Sequence, residues 1–102
     1  MKLTKRIKKQ EIEFFVSVHA YSQFTKRIRK IEHNLSPNQL ITKFIENFKK
    51  ANKPKIRSKG KQLRDERYDD KAIYYRNKDF NFVVIDNTIV TAEFNGDKGY
   101  LN

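Results

Sequence analysis

Apolar and polar residues alternate along 11–18, which sets Ile12, Phe14, Val16 and Val18 on one face of a strand. The period then changes. Ala20, Phe24, Ile28 and Ile31 recur at helical spacing and predict a helix over 20–33, with Lys26, Arg27, Arg29 and Lys30 off its apolar stripe. Ser36-Pro37-Asn38-Gln39 opens a second helix, 37–50: Ser36 suits the N-cap, Pro37 the first helical position and Gln39 the capping-box position. Leu40, Ile41, Phe44, Ile45 and Phe48 fall on one side of it, so both helices expect a sheet or each other as a partner.

The C-terminal third predicts a three-stranded antiparallel meander, 72–77, 80–85 and 88–94, with Lys78-Asp79 and Asp86-Asn87 as two-residue turns. Those turns set Ile85 opposite Thr88, Val83 opposite Val90 and Tyr74 opposite Val83. One face then carries Tyr74, Val83, Ile85, Val90, Ala92 and Phe94, and is expected to lie under the helices. The other carries Tyr75, Asn77, Phe80, Phe82, Thr91 and Glu93, with Val84 and Ile89 at its far end. Left open, this second face is a stacking platform for bases; covered, it is more core. The fold class expected is α+β, with two N-terminal helices packed on an antiparallel β-meander.

Two segments lack periodicity. Residues 1–10 carry Lys2, Lys5, Arg6, Lys8 and Lys9 without an acid, and read as a basic arm or short helix. Residues 52–70 read as a basic loop in which Lys53, Lys55, Arg57, Lys59, Lys61 and Arg64 fall within twelve residues that hold no acid. The 102 residues accommodate one domain, 1–102, with one core.

Charge sharpens the picture. There are 23 Lys+Arg against 12 Asp+Glu, a formal net charge of +11, and such a field attracts polyanions. With no Cys and only two His, neither a disulfide framework nor a closed zinc site is expected, and no cofactor is implied. No apolar run is long enough to cross a bilayer and no signal-peptide pattern follows the basic N-terminus, so a cytoplasmic protein without a membrane partner is expected. The partners expected are nucleic acid, RNA ahead of DNA, or an acidic protein such as an antitoxin.

Candidate chemistry gathers at the strand-to-helix junction, where His19 precedes Lys26 and Arg27. A histidine changes charge near neutral pH, and fixed cations suit a phosphate. His19-Ala20-x-x-Gln23-Phe24-x-x-Arg27 resembles the His-Ala-x-x-Arg-Met-x-x-Arg signature of a family of small bacterial domains in the barnase, EndoU, colicin and RelE-like superfamily of metal-independent ribonucleases, many of them toxins. The resemblance spans residues 12–94 and includes an Ile-Val-Thr strand, here Ile89-Val90-Thr91. The departure is Gln23, where the family carries Arg; Lys26 is the neighbouring cation that could replace it.

What the resemblance implies is a catalytic set of His19, Arg27, Tyr75 and Thr91. His19 would act as acid or base, Arg27 as phosphate clamp, Thr91 as a donor to a phosphate oxygen, and Tyr75 as a stacking or proton-shuttling group; Glu93 is a conceivable base. Lys26, Lys55, Arg57, Lys59, Lys61 and Arg64 would hold nucleic acid. Structure alone offers other roles: His19 as a helix-capping residue, His33 as a partner of the helix dipole, Lys26 and Arg27 as a solvated face, Thr91 as an ordinary strand residue. The functional expectation is a metal-independent RNA-cleaving or RNA-binding domain of the toxin or phage-effector kind, so enzyme status stays open between an endoribonuclease and a binder. The alternative is a non-catalytic, phage-type regulator or inhibitor acting on a host nucleoprotein or an acidic partner.

Overall fold

The computed structural model describes residues 1–52 and 72–95. The fold is α+β. In chain order it contains β1 (Lys2–Ile7), β2 (Gln10–Val16), α1 (Val18–Ile28), α2 (Pro37–Lys50), β3 (Ile73–Arg76), β4 (Phe80–Ile85) and β5 (Thr88–Phe94). The strands form one mixed sheet in the order β1-β2-β5-β4-β3, antiparallel throughout except where β2 runs parallel to β5.

Two strands therefore precede the helices. The expected basic arm is β1, paired with β2 from Lys2↔Phe15 to Ile7↔Gln10. Leu3, Lys5 and Ile7 alternate with Lys2, Thr4 and Arg6, and the first set turns inward beside Ile12, Phe14 and Val16. The pattern was masked because Lys5 occupies an inward position. Its Nζ donates to the Lys49 carbonyl at 2.7 Å and lies 5.7 Å from the centroid of Phe48 and 5.9 Å from that of Tyr75. The cation thus caps the C-terminal end of α2, where the helix dipole favours positive charge.

The strand predicted to reach Val18 stops at Val16, because Ser17 is the N-cap of α1 and its Oγ accepts from the Ala20 N–H at 3.0 Å. Ala20, Phe24 and Ile28 are buried as predicted, but the helix ends five residues early and Ile31 is exposed. His33 lies beyond the helix end. α2 spans its predicted residues, with both arms of the capping box formed between Ser36 and Gln39.

The meander is present, but the helices cover its other face. Phe82 sits at the centre of the core, with ring centroids 5.6 Å from Phe44 and 5.3 Å from Phe48, both edge-on. Phe24 lies 4.8 Å from Phe80 and 4.9 Å from Phe44. Tyr75, Val84, Ile89, Ala92 and Phe94 complete this face. A bulge explains half of the discrepancy. Ile85↔Thr88 and Val84↔Ile89 hold the predicted register, whereas Val83 pairs with Thr91, leaving Val90 as an extra residue in β5. That single insertion carries Ala92 and Phe94 onto the Phe82 face and leaves Thr91 opposite Val83. Aromatic volume explains the rest: Phe24, Phe44 and Phe48 from the helices are met by the large rings of the sheet. Tyr74, Val83 and Thr91 are buried on the face away from the helices, so the open stacking platform around Phe82 does not exist.

No helix among the described residues is long and apolar enough to cross a membrane.

Candidate nucleic-acid interface

Beyond Ile89 the edge of β5 loses its strand neighbour, because β2 pairs only through Phe15↔Thr88 and Val16↔Ile89 before Ser17 turns the chain into α1. α1 runs along that vacated edge. Its apolar stripe enters the core, and Gln23 reaches across so that its Oε1 accepts the Ala92 N–H at 3.0 Å. The helix is thereby fixed to the strand by packing on one side and by a hydrogen bond to backbone on the other.

This docking leaves one flank of α1 facing out. His19, Gln23, Lys26 and Arg27 recur at helical spacing along it, and Lys30 follows in the turn just past its end. Together with Arg29 and Phe94 they line an open cleft of about 740 Å³. Its lining contains four fixed cations and one histidine, and no carboxylate among the described residues. The Arg27 Nη1 donates to the Gln23 carbonyl at 3.3 Å, so the side chain folds back towards the helix N-terminus, the direction long helical side chains favour. A cleft lined by one sign of charge concentrates anions, and a guanidinium with remaining donors can grip a phosphate bidentately.

His19 does not cap the helix, since Ser17 does; it is the second residue of α1 and is exposed on the cleft wall. His19, Lys26 and Arg27 are therefore brought together. Tyr75 and Thr91 do not join them. Tyr75 pairs with Phe82 and lies inside, edge-on to Phe14 at 6.0 Å and to Phe48 at 5.4 Å, and burial raises the pKa of its phenol. Thr91 pairs with Val83, one residue out of phase, and so sits on the opposite face of the sheet. The four residues expected to form a catalytic set are split among the cleft, the core and the far face, because the expectation that Tyr75 and Thr91 flank Phe82 together ignored the Val90 bulge. Glu93 pairs with Asn81 and shares the far face with Thr91. Lys55, Arg57, Lys59, Lys61 and Arg64 lie outside the described residues.

Lys30 and Phe94 belong to the cleft and were not predicted there. Lys30 reaches it from the turn that follows α1, where its N–H is bonded to the Arg27 carbonyl at 3.0 Å. Phe94 was invisible, since only the bulge brings it to this face. Among the described residues no group of three or more His, Asp or Glu side chains could hold a metal ion.

Comparison with protein-family models finds no match, and neither the curated proteins nor the solved structures contain one that matches the chain.

Proposed function

We propose that this chain is a small RNA-binding domain that grips phosphates in the cleft along α1. The observation that carries the reading is the lining by four fixed cations, Lys26, Arg27, Arg29 and Lys30, without a carboxylate, within a chain of net charge +11. RNA is placed ahead of DNA by the resemblance of the His19–Arg27 motif to the barnase, EndoU, colicin and RelE-like domains. In that placing the chain stands as a binder of the phage-regulator or toxin-like kind, because the residues that would complete catalysis are not gathered around His19.

The test is binding of single-stranded RNA across a salt series. Neutralising Lys26, Arg27 and Lys30 to Gln should reduce the slope of log affinity against log salt by about 2, at about 0.7 per phosphate contact. Unchanged affinity in the triple variant would overturn the reading, and an acidic protein partner would then be the occupant to seek.

A second reading is favoured by one observation: His19 and Arg27 line the same cleft. It holds that His19 alone serves as acid or base for RNA cleavage with Arg27 on the phosphate. Cleavage of RNA in EDTA that is lost in His19→Ala would select it. Salt-sensitive binding with intact RNA would reject it.

A further inference from the structure

Among the described residues, two of the tight hairpins solve one geometric problem with different residues; the third, at Lys78-Asp79, closes without positive φ. The turn joining β4 to β5 places Asp86 at φ 50° and Asn87 at φ 59°; the turn joining β1 to β2 places Lys8 at φ 50° and Lys9 at φ 67°. Both are two-residue loops, closing Ile85↔Thr88 and Ile7↔Gln10. Positive φ at both central positions matches the right-handed twist of the flanking strands in these two loops, and Asn, Asp and Gly tolerate it best. Asp86-Asn87 conforms. Lys8-Lys9 does not, since a Cβ with a long side chain crowds the carbonyl in this region and gains no local hydrogen bond in return. Geometry therefore did not select lysine there; the chain shows at Asp86-Asn87 what geometry alone would select.

From this we infer that the tip of the β1–β2 hairpin is a second phosphate-contacting site, with Lys8 and Lys9 kept for their charge at the expense of turn stability. Backbone strain of this kind persists where the side chain is needed. Three observations agree. Lys8 and Lys9 are both exposed. The acid nearest in register, Glu11, stands opposite Arg6 and not opposite the tip. The hairpin is also held in place, because the buried Lys5 Nζ is bonded to the Lys49 carbonyl at the end of α2 and Leu3 is buried in the core. A pinned cationic tip meets a phosphate without first being ordered, which spares the entropy a free arm would lose.

The tip and the start of α1 lie at opposite ends of β2, whose seven residues span about 20 Å at ~3.3 Å per residue. The two sites therefore touch different phosphates of one polymer. This inference rests on the RNA-binding reading above and adds to it a second, separable contact.

The experiment replaces the turn by the residues its geometry prefers, Lys8→Asn with Lys9→Gly, and measures both thermal midpoint and the salt slope of binding to a labelled oligouridylate. The midpoint should rise by ~4 °C or more on relief of the strained turn, while the salt slope falls by about 1.4 for two lost contacts. The pair Lys8→Arg with Lys9→Arg should keep the slope. A slope unchanged by the Asn-Gly turn but lowered by Lys26→Gln with Lys30→Gln would overturn the hairpin contact and leave the α1 cleft standing. A midpoint that falls in the Asn-Gly variant would overturn the strain argument. If the unaltered protein binds no oligouridylate at any salt, the RNA reading itself fails.

Discussion

The Gln23 Oε1 accepts the Ala92 backbone N–H at 3.0 Å, so a helix side chain takes the place of a missing strand. The Ala92 donor faces the edge that β2 abandons after Val16↔Ile89. Gln23 is also the position at which the chain differs from the arginine of the signature that the His19–Arg27 segment resembles. An arginine has five donors and no acceptor, and could not make this bond. At this sheet edge the acceptor of a glutamine is what the strand requires.

Gln23→Leu should leave the Ala92 N–H without its partner and lower stability by ~1–3 kcal/mol. Gln23→Arg should lose the same bond, whereas Gln23→Glu keeps an acceptor and should stay near the parent. Urea unfolding of the three variants at neutral pH checks the order, and equal stability of the Leu and Glu variants would contradict it.

Phe82→Ala should cost ~3–5 kcal/mol, because the ring is fully buried and wedged between Phe44 and Phe48. That is a large share of the ~5–15 kcal/mol a domain commonly holds. A variant that melts with the parent would show that the helices do not cover the Phe82 face.

Lys5 is buried, and desolvation lowers its pKa from the ordinary value of 10.5. In the window between the lowered native pKa and 10.5 the unfolded chain binds more protons than the native one, so this group makes stability rise with pH there. In the charged form, burial of this group opposes folding. Lys5→Met removes this contribution. Guanidinium unfolding from neutral pH to about pH 10 should show stability gained with pH in the parent relative to the Met variant. Parallel profiles would place the Lys5 ammonium in water.

Tyr75→Phe should leave RNA binding unchanged, and any RNA cleavage likewise, since the ring stands inside the core between Phe14 and Phe48 and away from the α1 cleft. Tyr75→Ala should instead destabilise the fold by ~3–5 kcal/mol, as loss of a buried aromatic does. Filter binding and gel assays in EDTA separate the two roles: a loss of cleavage in Tyr75→Phe with normal melting would return Tyr75 to the site.

The features legible along the chain are those governed by near neighbours. α2 was readable to the residue because Ser36, Pro37 and Gln39 carry the chemistry of a helix start within four positions. The meander was readable because Asp86-Asn87 suits positive φ and its flanking strands are β-rich. The cationic flank of α1 followed from helical spacing alone. The β1–β2 hairpin escaped because Lys8-Lys9 lacks any turn signature and Lys5 breaks the inward pattern, its cost met by a carbonyl 44 residues away.

Tertiary structure decided which face of the sheet is core and which residues share a site. Strand side chains have a period of two, so one extra residue at Val90 moves everything after it to the other face. No local pattern announces that insertion: it arises where β2 leaves β5 and Ser17 starts a helix, a junction of segments more than 70 residues apart in the chain. That one register shift separated Thr91 from Tyr75, brought Phe94 to the cleft, and left Gln23 to complete the edge of a strand.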